Sequence, residues 1–223
     1  MGYDFDFSVI WQYRSLFLQG ALMTIRITGV ATALGLLVGI LMAGLQLIRF
    51  RPLSMLIQAY IEVIRNTPFL VQLFFFYFGL PTVNIFLPAW QAAIIALTIN
   101  IGAYATEIVR AGIESISTGQ IEAGRSLGLS GLQVFQFVIL KPALMKVYPA
   151  LTSQFILFIL NSAVISVISA QELAFEAKYV ASRTFRNFEI YLFITVVYLL
   201  IAQLFRVTFD LISKLIFGKA PVN

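Results

Sequence analysis

Four stretches without a single Asp, Glu, Lys or Arg constrain this chain more than any other feature: residues 27–48, 66–106, 147–171 and 190–205. A charge at the bilayer centre costs roughly 2.5–3.5 kcal/mol on insertion scales, so charge-free runs of this length are what a lipid solvent selects. About 20 apolar residues cross the hydrocarbon core, so the first and third runs each hold one helix. The second holds most of two, divided where Pro81 and Pro88 bound a turn. With the last run, this predicts five membrane-spanning helices, at roughly 16–48, 53–80, 90–112, 143–168 and 188–217. The expected fold class is all-α integral membrane, one transmembrane domain over residues 1–223. Composition points the same way: 60% of the 223 residues are hydrophobic and 11% charged, whereas soluble domains carry about a quarter charged residues.

Several functions are excluded by what the chain lacks. It has no Cys and no His, which removes disulfide frameworks, Cys nucleophiles, Ser-His triads and histidine proton relays, and leaves no zinc-finger-type ligand set. The net charge of +5 comes from 15 Lys and Arg scattered between apolar runs. Such scatter sets membrane orientation and does not build a nucleic-acid face. Arg49 and Arg51 join spans one and two; Arg110, Arg125, Lys141 and Lys146 flank the long loop after span three; Lys214 and Lys219 close the chain. These positions are expected to face the cytoplasm. The opposite side holds Asp4, Asp6, the charge-free 81–89 turn and the mixed segment 169–187, so the amino terminus is expected outside and the carboxyl terminus inside. Acidic Asp4 and Asp6 also stand where a cleaved signal would be basic.

The loop at 113–142 is the least membrane-like part of the chain. Ser117 or Thr118 is placed to cap a short helix containing Gln120, Ile121, Glu122 and Ala123, and Gly128 to end it in a left-handed conformation. That helix is too short and too polar to span. A plain surface linker is one reading of it. Leu127, Leu129 and Leu132 at its tip favour another, in which a second protein covers them.

Glu122-Ala123-Gly124, then Gly128, then Val138-Ile139-Leu140-Lys141-Pro142 resembles the EAA loop of transmembrane subunits of bacterial ABC importers. More narrowly, residues 62–73 (EVIRNTPFLVQL), 102–113 (GAYATEIVRAGI) and 119–123 (GQIEA) look like the polar amino acid permeases of that group. The likeness runs from about Gly20 to Phe205. Gly124 departs from it where a second alanine is usual, and Lys141 displaces the proline by one place. The resemblance implies a type I ABC importer-like fold in the cytoplasmic membrane of a prokaryote. It also implies that the loop forms a coupling helix seated on a separate ATPase subunit, through Gln120, Ile121, Glu122, Ala123, Gly124, Arg125, Gly128 and Leu129. Nothing in the chain has the GxxxxGK[ST] pattern needed to cradle ATP. No cofactor is therefore expected in this chain, with ATP and Mg carried by the partner ATPase dimer. One chain supplies one such loop, so a second permease copy or a paralogue is expected beside it. By the same resemblance, an extracytoplasmic amino-acid-binding protein would dock near residues 169–187.

A path for substrate has to be built from polar side chains held inside the bundle, because lipid-facing polar groups are costly. Asn100, Tyr104 and Glu107 fall on one face of span three at i, i+4 and i+7. Gln154 and Asn161, seven apart in span four with Ser162 adjacent, share another face that is expected to look towards the first. Thr67 and Gln72 flank the Thr67-Pro68 break in span two. Together these eight residues are the expected substrate-binding set, suited to the ammonium and carboxylate of an amino acid. Duller readings stand beside them. Glu107 with Arg110, and Glu62 with Arg65, fit intrahelical i, i+3 pairs. Asn100 and Asn161 fit interhelical partners, and Gly35 with Gly39 fits close helix packing. A secondary, ion-coupled transporter would need matching internal halves, and an intramembrane enzyme built on Ser162 and Glu107 would lack a histidine base; neither pattern is present.

Overall fold

The computed structural model describes residues 4–48 and 50–218, and every regular element among them is helical. Arg49 and Lys219, two of the basic residues that set the expected orientation, lie outside the described residues. In chain order the elements are α1 (Ser8–Gln12), α2 (Arg14–Leu45), α3 (Arg51–Arg65), α4 (Phe69–Phe74), α5 (Ala89–Glu114), α6 (Thr118–Ser126), α7 (Gly131–Gln133), α8 (Lys141–Asn161), α9 (Leu173–Thr184) and α10 (Asn187–Phe217). Four helical units are long and apolar enough to cross a membrane: Arg14–Ile48, Ala89–Glu114, Gly131–Ile168 and Asn187–Phe217. A fifth crossing is made only if α3 and the helix after it count as one span, bent by 106°.

Helix α5 is the axis of the molecule. It buries Ala92, Ala96, Ile101, Ala105 and Val109 among its neighbours, and α2 lies along it closely enough that side chains are excluded at two points. A Cβ on Gly35 would stand 2.5 Å from Ile101 Cγ2, and one on Gly39 would stand 2.5 Å from the Ala105 Cβ. The GxxxG pair therefore does what small residues do between membrane helices, letting the backbones approach. A second apolar cluster joins the start of α2 to α9 and α10 through Phe17, Leu173, Ala177, Val180 and Ile194.

Two departures from the sequence expectation have physical causes. Residues 131–142 are not loop: they are the beginning of the long helical unit Gly131–Ile168, capped by Ser130, whose hydroxyl accepts from the Gln133 N–H at 3.3 Å while the Gln133 side chain accepts from the Ser130 N–H at 2.9 Å. Within that unit, Val134–Leu140 forms a π-helical stretch immediately before Lys141 and Pro142. Such a wider turn absorbs one extra residue, which is how the displaced proline is accommodated. The second departure is Leu129, expected to face water, which instead packs half-buried against the core. Leu127 (82% exposed) and Leu132 (66%) do face outward.

Overpacking of a fitted site destabilises by about 1–3 kcal/mol. Gly39→Leu is therefore expected to lower the melting temperature of the detergent-purified protein by about 5 °C or more. Gly119→Ala, whose added Cβ would meet nothing within 4 Å, is expected to leave it unchanged.

Candidate functional site

Pro68 supplies no backbone N–H and cannot continue α3, so the chain turns and carbonyls near the end of α3 lose their helical partners. In lipid such groups must be satisfied by the protein. Thr67 answers one, its hydroxyl donating to the Val63 carbonyl at 2.8 Å. Gln72 answers two more: its Nε2 donates to the Ile64 carbonyl at 2.8 Å and the Thr67 carbonyl at 3.1 Å, and also reaches Thr67 Oγ1 at 2.9 Å. The free oxygen of Gln72 accepts from Asn100 Nδ2 at 2.8 Å. Both amides are nearly inaccessible, Asn100 at 4% and Gln72 at 6% exposure. Three residues expected at the substrate thus form a knot that fixes the bend onto α5. Asn100 finds its partner in span two, and Asn161 stands exposed at the end of α8.

Beside the knot, α3 and α5 enclose a cavity of about 290 Å³ lined by Gln58, Glu62, Arg65, Asn66, Tyr104 and Glu107. The Arg65 guanidinium lies 5.3 Å over the Tyr104 ring, and its Nη1 is 4.0 Å from Glu107 Oε2. Glu62 is reached instead by the Gln58 amide at 3.2 Å, so among the described residues Glu62 and Arg65 do not pair. Glu107 and Arg110 do pair, and Arg110 also bonds Glu114 at 2.5 Å. The cavity thus presents two carboxylates and a guanidinium, with uncharged donors and acceptors between them. Tyr104 and Glu107, which sequence spacing puts on one helix face, both line this cavity. That spacing missed Gln58, Arg65 and Asn66 as lining, for which the residues just before a Pro break in a span were the available signal.

On the α8 side, the Phe158 ring meets Tyr104 edge-on at 5.4 Å, so the two polar faces do turn towards each other, through aromatic contact. Gln154 is half-buried one turn before Phe158. Ser162 is fully buried and its hydroxyl donates to the Ile159 carbonyl at 2.6 Å, which occupies it within its own helix.

Helix α6 projects from the end of α5. Ser117 takes its N-cap position and Gly128 follows in the left-handed region at φ +78°. Its outer face exposes Gln120, Glu122, Ala123 and Arg125, while Ile121 and Leu129 pack inward and Gly124 is buried. A Cβ on Gly124 would meet Val138 Cγ2 at 3.1 Å, so close packing on the π-helical stretch accounts for a glycine where alanine was expected. The links on either side of α6 are only residues 115–117 and 127–130. A push on α6 is therefore carried directly into α5 and the unit containing α8.

At the far end, segment 169–187 is less open than its charges imply. Glu172, Glu176 and Glu189 are all buried, because the apolar face of α9 docks into α2 and α10. Glu172 caps α9, accepting from the Phe175 N–H at 2.9 Å, the Tyr198 hydroxyl at 2.6 Å and the Thr24 hydroxyl at 3.3 Å. Burial pushes its carboxyl above the usual carboxylate range. Gln171, Lys178 and Arg183 remain outward.

Comparison with known proteins matches residues 35–218 to the family described as "Binding-protein-dependent transport system inner membrane component". A probable glutamine ABC transporter permease protein, GlnM of Bacillus subtilis, is 37% identical over 194 residues, covering 87% of this chain and 90% of the relative. The glutamine transport system permease protein GlnP of Escherichia coli K12 is 36% identical over 200 residues, covering 89% and 91%. A crystal structure of an amino acid ABC transporter superposes with a TM-score of 0.84 at 37% identity, over 95% of this chain and 99% of that one. With its bent second span, its projecting α6 and this kinship, the chain belongs to the binding-protein-dependent inner membrane components, as a multi-pass permease subunit of an ABC importer.

Proposed function

We propose that the chain carries polar amino acids across the cytoplasmic membrane of a prokaryote, with its amino terminus outside, as half of a pore completed by a second permease copy or a paralogue. The observation that carries this reading is the α3–α5 cavity, where carboxylate and guanidinium face one small space. An amino acid zwitterion needs both signs at once. Its ammonium group is placed against Glu62 and Glu107, its carboxylate against Arg65, and Tyr104 walls the space between. Gln154 and Asn161 extend the path along the α8 face. Asn100, Gln72 and Thr67 act by holding the elbow that brings α3 to α5, and Ser162 by closing the end of α8. The relatives named for glutamine are consistent with a small polar cargo.

Energy comes from outside the chain. A separate ATPase dimer, binding ATP and Mg, grips the exposed tip of α6 at Gln120, Glu122, Ala123, Arg125 and Leu127, while Ile121, Gly124, Gly128 and Leu129 keep that tip in shape. An extracytoplasmic binding protein delivers the cargo at the opposite face. Closure of the ATPases displaces α6, and the short links pass this to α5 and α8, whose Tyr104–Phe158 contact borders the cavity.

Three outcomes test this reading in proteoliposomes containing permease, ATPase and binding protein. Arg65→Gln and Glu107→Gln are each expected to reduce amino acid uptake at subsaturating substrate about tenfold or more, roughly the 1.4 kcal/mol of one lost charged contact. Retention of full uptake by both variants would remove the cavity from the path. Glu122→Lys is expected to abolish co-purification of the ATPase while leaving the melting temperature of the permease unchanged. Uptake by the permease alone, driven by an ion gradient, would contradict the ATP-driven assignment.

A further inference from the structure

Beyond the transport path, a groove of about 490 Å³ runs between α2 and α10 near the amino-terminal end of α2. Its walls are apolar, with Phe17 and Ala21 on one side and Phe193 and Val197 on the other, and the Phe17 and Phe193 rings close its base edge-on at 5.1 Å. Its only polar lining is Arg14 and Ser15, both exposed. Arg14 donates to the Trp11 carbonyl at 3.0 Å and lies 4.6 Å over the Trp11 ring. Among the described residues no carboxylate lies within ion-pair distance of it. Trp11 itself is 71% exposed.

An exposed tryptophan, an arginine without a counter-ion and an apolar slot, all at one end of a membrane-spanning helix, have a shared logic. Tryptophan settles at headgroup level, and an arginine near the end of a span seeks phosphate there. We propose that the α2–α10 groove is a phospholipid site, holding one acyl chain of an anionic lipid between Phe17, Ala21, Phe193 and Val197 while Arg14 binds its phosphate. Charge complementarity selects the anionic headgroup. The lipid fills the space between α2 and α10 beside the Phe17–Phe193 contact.

The test uses the assembled transporter in detergent mixed with phosphatidylglycerol or phosphatidylcholine, with lipid retention read by native mass spectrometry. Wild-type protein is expected to retain phosphatidylglycerol preferentially. Arg14→Gln should reduce that retention about fivefold, the worth of one basic residue at an anionic lipid surface, and reduce retention of phosphatidylcholine, whose choline ammonium already neutralises its phosphate, by less. Ala21→Phe, which fills the slot, should reduce retention of both lipids. Arg183→Gln, a distant exposed cation, should change neither. Equal retention of the two lipids by wild type, or undiminished phosphatidylglycerol on Arg14→Gln, would overturn the proposal. A disulfide formed across copies by Leu18→Cys would also overturn it, since another protein copy would then occupy the groove.

Discussion

A proline in a membrane span frees carbonyls that lipid cannot satisfy, and the rest of this structure follows from how that debt is met at Pro68. Gln72 turns back on the break and binds both the Ile64 and Thr67 carbonyls, and Asn100 holds Gln72 from the neighbouring helix. The clasp is enthalpically local but geometrically far-reaching. It holds the 106° elbow against α5, where the end of α3 sets Arg65 over Tyr104 and beside Glu107. A second tie holds α3 to α5 earlier in the helix, where the Tyr60 hydroxyl donates to the Ile99 carbonyl at 2.6 Å.

The second constraint is how rigidly the α6 end of the bundle is tied to that cavity. Small residues fix α2 against α5 with no slack at Gly35 and Gly39, and packed cores of this kind shift as units and do not deform smoothly. Helix α6 is joined to α5 and to the Gly131–Ile168 unit by three and four residues. Its inner face is set into the core by Ile121, Gly124 and Leu129. The outer face is left polar and exposed, as a surface gripped by another subunit requires.

Much of the fold was legible because charge is so costly in lipid. The charge-free runs located the spans, Pro81 and Pro88 located the outer turn, and Ser117 with Gly128 located the ends of α6. The start of the long helical unit was hidden, since the loop expected over 113–142 absorbs it and only the Ser130–Gln133 capping box marks a helix there. The site was half legible. Helical spacing aligned Asn100, Tyr104 and Glu107, yet nothing in that spacing tells which way a broken span bends. The bend decides that Asn100 meets Gln72 while Tyr104 meets Arg65. Burial was equally invisible in the sequence: nothing in the spacing of Glu172 or Glu189 marks either as enclosed, yet both are fully buried.

The central claim, that substrate occupies the space between α3 and α5, is most directly tested by chemical protection. The chain has no cysteine, so Asn66→Cys places a single thiol on the cavity wall. In the complete transporter cycling with ATP, a saturating cognate amino acid should slow the reaction of that thiol with a water-soluble maleimide severalfold, while a thiol at Gly119 reacts at one rate throughout. An identical rate at position 66 with and without the amino acid, in a transporter that still hydrolyses ATP, would contradict the account.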